Sequence, residues 1–151
     1  MHIYKWQDKF DVGIDAIDVE HRNLLTCINK LITAQTLDKS IILKLADEVS
    51  LYAEFHFLSE ENLMCLTHYP DLTKHSECHR VLLQQLAVKR RNLEESANGL
   101  QDYVNFLVKW FIDHTQTIDK ELGQYLKNYE PILNSPEHVI QQLSMGKNMT
   151  S

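Results

Sequence analysis

The stretch HFLSEENLMCLTHYPDLTKHSECH, residues 56–79, contains two pairs of polar side chains at helical spacing. His56 is followed four positions later by Glu60, and His75 is followed four positions later by His79. Residues four apart lie one turn apart on the same face of an α-helix. The other positions on those faces are mostly apolar. The stretch therefore predicts two core-facing helices, each with a polar pair where apolar side chains are expected.

Capping and helix-breaking residues divide the rest of the chain in a similar way. Asp18 and Ser40 are predicted N-caps, and Pro70 and Pro131 are predicted to interrupt or end helical segments. The four predicted helices cover approximately 18–35, 41–66, 72–95 and 100–128. Four long amphipathic segments with short connections predict an all-α, up-down-up-down four-helix bundle.

The 151-residue length fits one domain with a real core. We expect the bundle and an N-terminal arm, which contains Trp6 and Phe10, to occupy residues 1–130. Residues 131–151 are predicted to be a short C-terminal extension. Within the extension, 136–143 is a candidate short helix and the final residues are expected to fray.

Composition excludes several classes of function. A net charge of −6 without a basic stripe argues against nucleic-acid binding. No apolar run is long enough to span a bilayer and the N-terminus has no apolar signal-like segment, so a cytoplasmic location without membrane association is expected. Cys27, Cys65 and Cys78 form no CxxC pair, which predicts reduced, mostly packed thiols.

Histidine is placed on the inward face of every predicted helix. His21 lies on the first helix and His114 on the fourth, in addition to the pairs of the second and third. One histidine on an apolar face is usually satisfied by a single hydrogen bond. A dry bundle core cannot accommodate five imidazoles and several carboxylates without partners, whereas a metal ion supplies those partners at once. The pattern therefore predicts a metal site inside the bundle.

The acidic ligand of the fourth helix is ambiguous from spacing alone. Asp119 lies five residues after His114, about 140° around an ideal helix. Glu121 lies seven residues after His114 and is therefore nearer to the same face. A carboxylate that bridges two ions need not share the direction of the imidazole, so both acids remain candidates.

Other polar residues near these positions are assigned structural or surface roles. Glu20 and Glu61 are adjacent to candidate ligands in the sequence but are predicted to face solvent. Cys78 is predicted to pack against another helix, because no second cysteine accompanies it at ligand spacing. The remaining histidines are expected in loops or at the surface: His2, His68 and His138.

Four segments together resemble the hemerythrin family, especially the bacterial single-domain bacteriohemerythrins. They are FDVGIDAIDVEH at 10–21, HFLSEENLM at 56–64, YPDLTKHSECH at 69–79 and WFIDHTQTIDKEL at 110–122. The resemblance covers roughly residues 4–128 in the same order. It favours Asp119 over Glu121 and implies seven metal ligands: His21, His56, Glu60, His75, His79, His114 and Asp119.

The resemblance implies a non-haem centre of two iron ions with an oxo or hydroxo bridge. His75, His79 and His114 would hold one iron, and His21 and His56 the other. Glu60 and Asp119 would bridge the two ions. The iron with two imidazoles would keep an open position, where dioxygen binds reversibly as peroxide.

The resemblance also implies a pocket around the bound oxygen. By position, its lining would be Leu24, Phe57, Trp110, Phe111 and Thr115. Thr115 departs from the apolar residue, commonly Ile, that follows the last histidine in the family. The expected function is an oxygen carrier, store or supplier rather than an enzyme. The alternatives are a sensor that acts through an unidentified protein partner, and a di-iron enzyme such as a peroxidase, a ferroxidase or a nitric-oxide-consuming catalyst.

Overall fold

The computed structural model describes residues 1–129 together with residues 133, 137, 141 and 144. Residues 1–129 form five α-helices and contain no strand. Short 3-10 turns at Asp8–Phe10, Ala34–Thr36 and Lys127–Tyr129 accompany them. The helices are α1 (Asp15–Thr33), α2 (Lys39–Leu66), α3 (Leu72–Glu95), α4 (Gly99–Gln116) and α5 (Ile118–Leu126).

The helices form the predicted four-helix bundle, in which α4 and α5 together make the fourth rod. Each helix packs against the next along the chain, and α1 also packs against α4. Helices that neighbour each other through connections this short run antiparallel. None of the helices within the described residues is long and apolar enough to cross a membrane.

The predicted helix bounds are confirmed for α3 and corrected at three other places. Asp38, not Ser40, occupies the N-cap of α2. α1 begins at Asp15, so Asp18 lies within its first turn. The Asp18 carboxylate still satisfies free N–H groups, because it accepts hydrogen bonds from Val12 at 2.7 Å and Gly13 at 3.2 Å. The third correction, a break in the fourth helix, bears directly on the site.

The core consists of two apolar clusters on either side of a polar layer. Along α1, Ile17 belongs to the smaller cluster and Leu24 to the larger one, and His21 lies between them. The same order occurs on α2, where Phe57 belongs to the larger cluster and Met64 to the smaller one. The polar layer is therefore sealed by packed apolar side chains at both ends.

The N-terminal arm closes one side of the bundle. Phe10 is 2% exposed, and its ring lies 5.6 Å from that of Phe111 and 5.5 Å from that of Trp6. The arm also passes close to α5 at Gly123, where an added Cβ would lie 2.3 Å from the Val12 carbonyl oxygen. Only glycine permits this approach.

The domain boundary at residue 130 and most of the predicted C-terminal extension lie outside the described residues. This also applies to most of the short helix predicted at 136–143, although Glu137 and Gln141 within it are helical. Leu133 is partly buried against the smaller apolar cluster.

Candidate metal centre

All seven side chains predicted to bind metal meet in the polar layer. α1 contributes one of them, α2 and α3 two each, and α4 and α5 one each. None is more than 7% exposed. They are His21, His56, Glu60, His75, His79, His114 and Asp119.

A break between α4 and α5 brings Asp119 into the site. Thr117 departs from helical geometry at φ −116° and ψ −78°, and its hydroxyl donates a 2.6 Å hydrogen bond to the Asp113 carbonyl. The break rotates the following residues, so the Asp119 Oδ1 atom lies 3.0 Å from His114 Nε2. Glu121 is exposed. Asp119 therefore faces the imidazoles, whereas Glu121 faces solvent.

Glu60 directs one oxygen toward the histidines of α1 and α2 and the other toward the histidines of α3. Its Oε1 atom lies 3.1 Å from His56 Nε2 and 3.6 Å from His21 Nε2. Its Oε2 atom lies 3.3 Å from His75 Nε2 and 3.2 Å from His79 Nε2. A carboxylate placed in this way can bind two cations at once.

Asp119 is arranged similarly on the opposite rod of the bundle. Its Oδ2 atom lies 3.1 Å from His21 Nε2, whereas its Oδ1 atom lies 3.1 Å from His75 Nε2 and 3.0 Å from His114 Nε2. The seven side chains consequently form two groups of potential ligands that share both carboxylates. The groups are Glu60, His75, His79, His114 and Asp119, and His21, His56, Glu60 and Asp119.

The spacing of the buried nitrogen and oxygen atoms in this layer suits ligands of a metal ion better than it suits hydrogen bonds between them. Ligand atoms in adjacent positions of an octahedral ion, each about 2.1 Å from it, are about 3 Å apart. The nitrogen–oxygen distances above are close to that separation, yet most of these buried atoms have no hydrogen-bond partner in the part of the chain that the structure describes. Such atoms are the Nε2 atoms of His21, His75, His79 and His114, both oxygens of Glu60, and Oδ1 of Asp119.

The protonation equilibria show that the layer attracts positive charge. Burial opposes protonation of His56, but the charge of Glu60 and a hydrogen bond with Glu20 outweigh it and raise the pKa of His56 to about 10. Burial is similarly outweighed at His75, whose pKa rises to about 9. Burial would also raise the pKa of Glu60, but the surrounding imidazoles hold it well below its usual value. Protons or metal cations can supply the positive charge that the carboxylates require.

Two carboxylates that we predicted to face solvent instead contact the outer nitrogens of the imidazoles. The Glu20 Oε1 atom lies 2.8 Å from His56 Nδ1, and the Glu61 Oε1 atom lies 3.0 Å from His79 Nδ1. These contacts favour the tautomer in which Nδ1–H donates to the carboxylate and Nε2 is free to bind a metal. The only signal in the sequence was that each acid is adjacent to a predicted ligand, and each contacts a histidine of a different helix.

Aromatic rings cover the imidazoles. Phe57 stacks on His79 with ring centroids 4.0 Å apart and planes within 6° of parallel. Trp110 lies 6.0 Å from the ring of His114, and Phe111 lies 6.0 Å from that of His21.

The two other predicted lining residues, Leu24 and Thr115, are 1% and 2% exposed. Leu24 belongs to the larger apolar cluster, and Thr115 directly follows His114. The surroundings of the site are therefore apolar and largely closed to water, except on one side.

A surface groove between α3 and α4 reaches the edge of the site. It has a volume of about 560 Å³, and its walls include Cys78, Phe106, Trp110 and His114. Cys78 thus lines a groove and does not belong to either group of potential ligands. His114 is the most exposed of the seven side chains, at 7%.

The fold and the site define a class of protein, a four-helix bundle with an interior imidazole and carboxylate metal centre. Comparison with known proteins agrees. Residues 12–126 match the family described as the Hemerythrin HHE cation binding domain. The chain therefore belongs to the hemerythrin family.

Several relatives extend this match over most of the chain. A bacteriohemerythrin of Stenotrophomonas maltophilia is 30% identical over 128 residues, 84% of each chain. A bacteriohemerythrin of Clostridium acetobutylicum is 32% identical over 128 residues, 79% of this chain and 98% of its own. The crystal structure of a wild-type hemerythrin superposes with a TM-score of 0.73 at 28% identity, covering 83% of this chain and 98% of the other.

Proposed function

We propose that this protein binds dioxygen reversibly at a non-haem di-iron centre and serves as a carrier, store or supplier of oxygen. One observation carries the proposal: two groups of potential ligands share both of their carboxylates. Such sharing is expected for a pair of ions and not for a single ion. The number of irons and an oxo or hydroxo bridge between them are parts of the same proposal.

The ligands divide unequally between the two ions. His75, His79 and His114 would hold one iron, whereas only His21 and His56 would hold the other, as the two groups indicate. Glu60 and Asp119 would bridge them through opposite oxygens. The ion held by two imidazoles would have one protein ligand fewer, which would leave a position for dioxygen.

The composition of the ligand set supports binding over oxygen activation. Carboxylate-rich di-iron bundles use four glutamates and two histidines, and their anionic donors favour high oxidation states. Here the set contains two carboxylates and five imidazoles, which are neutral when they bind a metal ion. When bound, two ferrous ions in this environment would supply the electrons for reversible binding of dioxygen.

The side chains around the proposed centre exclude bulk water and cover the imidazoles. Phe57 and Phe111, which are 3% and 2% exposed, cover imidazoles of opposite halves of the site and keep bulk water from them. Leu24, Trp110 and Thr115 complete the proposed pocket lining. Low access of protons and anions disfavours irreversible oxidation.

The proposal is tested by metal analysis and visible spectroscopy on one sample. The purified protein is loaded with iron, reduced without air, exposed to air and then returned to low oxygen. We expect two irons per chain and an absorption band that appears with oxygen and disappears when oxygen is removed. Irreversible oxidation on first exposure, or fewer than two irons after loading, would contradict the proposal.

Two histidine variants provide a matched comparison. His56→Ala removes an imidazole from the half of the site with two histidines, so we expect loss of one iron and of the oxygen-dependent band. His2→Ala removes an exposed histidine of the arm and should leave both readouts unchanged. Equal iron content in the two variants would argue against the ligand assignment.

A further inference from the structure

A polar chain links α1 and α2 behind His56. The Ser59 hydroxyl donates a 2.8 Å hydrogen bond to Glu20 Oε2, and the other oxygen, Oε1, lies 2.8 Å from His56 Nδ1. Both Glu20 oxygens therefore have a partner on α2. The carboxylate is held from two sides, and its orientation relative to the imidazole is fixed.

The two halves of the metal site differ in this outer support. Glu61 contacts His79 at 3.0 Å, but its side chain is 31% exposed, and no other hydrogen bond of Glu61 is present within the described residues. The Glu20 side chain is 15% exposed and has the additional bond from Ser59. A less exposed carboxylate is screened less by solvent and interacts more strongly with its imidazole.

The stronger support lies in the half of the site with fewer imidazoles. The other half has three, and His21 Nδ1 is a buried nitrogen that has no hydrogen-bond partner among the described residues. His56 is consequently the only imidazole in its group with a fixed outer partner. A carboxylate at Nδ1 fixes the tautomer of an imidazole and makes Nε2 a stronger donor to a cation.

We propose that Glu20, held by Ser59, is the positioning residue of the two-histidine half of the site and selectively strengthens metal binding there. Glu61 plays the corresponding but weaker role for the three-histidine half. This inference rests on the proposed pair of ions. It extends that proposal by predicting that the two ions depend on different outer carboxylates.

Cobalt(II) titration of the metal-free protein, followed by absorbance, tests the selectivity. We expect wild-type protein to bind two ions per chain. In Glu20→Ala, one ion should bind as in wild type and the other about 10–100-fold more weakly, the usual effect of removing an outer partner. Ser59→Ala should produce a smaller loss at the same ion. Glu54→Ala, which removes an exposed carboxylate of α2, is the control and should bind as wild type.

Proton NMR of the zinc-loaded protein separates positioning from general stability. We expect a downfield Nδ1–H resonance of His56 that is absent or shifted upfield in Glu20→Ala and unchanged in Glu61→Ala. Glu20→Gln, which keeps an acceptor oxygen, should restore part of the shift and part of the affinity. An unchanged resonance in Glu20→Ala, or equal weakening of both ions, would overturn the inference.

These outcomes are independent of the test of oxygen binding. If wild-type protein binds two cobalt ions with the expected selectivity but binds no dioxygen reversibly, the proposed function fails and the inference stands. If oxygen binding is reversible but Glu20→Ala keeps both affinities, the inference fails and the proposed function stands.

Discussion

Replacement of Phe57 by Ala is expected to destabilise the protein far more than replacement of Phe55, two residues earlier on α2. Phe57 is 3% exposed and stacks on His79, whereas Phe55 is 55% exposed. The cavity beside Phe57 is only about 10 Å³, so its neighbours are already closely packed. Removing the ring would leave a cavity in a part of the core that cannot easily collapse.

The expected loss follows from the cost of such cavities. Phe57→Ala should reduce the free energy of unfolding by about 3–5 kcal/mol. Phe55→Ala should change it by about 0.5 kcal/mol or less, as is usual for surface positions. With a urea dependence of about 2 kcal/mol per molar, the midpoint for Phe57→Ala should fall by roughly 1.5–2.5 M.

Urea unfolding of the metal-free protein, followed by circular dichroism, measures both variants without interference from metal binding. A second readout is cobalt affinity. It should fall in Phe57→Ala because the stacked ring that restrains the orientation of the His79 imidazole is lost. Similar midpoints for the two variants would show that the stacked ring contributes little beyond a surface phenylalanine, and would refute the packing argument.

Three further predictions concern the pocket, the arm and the charge of the site. Thr115→Ile removes a buried hydroxyl and should slow the loss of the oxygen-binding form in air; equal or faster decay would remove the idea that this hydroxyl admits water. Gly123→Ala should destabilise the protein by about 1–3 kcal/mol through overpacking against Val12, as measured by urea unfolding, whereas an unhindered helical glycine would gain stability from the same change. In the metal-free protein, the raised pKa values of His56 and His75 predict stability that is fully present below about pH 6.5 and is lost as the pH rises through 9 to 10. Thermal unfolding at pH 6 and pH 10 should show this loss without metal and a smaller one with metal bound, and a constant metal-free midpoint would contradict it.

The apolar layers around the site explain why these predictions concern packing as much as ligands. Five imidazoles and two carboxylates interrupt the core at one level of the bundle. The clusters on either side, and the arm over Phe111, keep bulk water from most of that level, apart from the groove beside His114. Variants of the surrounding side chains are therefore expected to affect both stability and the chemistry of a bound metal.

The fourth helix shows where reasoning from the sequence alone reaches its limit. Spacing on an ideal helix left both acids as candidates, with Glu121 nearer to the face of His114, and the family resemblance favoured Asp119. The structure places Asp119 among the imidazoles because the helix breaks at Thr117. A polar side chain that bonds to its own backbone can break a helix or merely bend it, and local sequence does not distinguish the two results.

The outer carboxylates were predicted incorrectly for a related reason. Glu20 adjoins His21 in the sequence but contacts His56 on the neighbouring helix. Its direction depends on the rotation of α1 and on its axial position relative to α2. Both are set by the packing of many side chains, and neither can be inferred from the adjacent residues in the sequence.

The sequence by itself determined the helical segments, the inward positions of the five histidines and the pairing of His56 with Glu60 and of His75 with His79. Those features depend on the fixed geometry of one helix, in which residues four apart share a face. Only the tertiary structure decided which acid of the last rod faces the site, how the two carboxylates are shared and which acids support the imidazoles. Those features depend on distances between helices, and such distances are fixed only when the whole core packs.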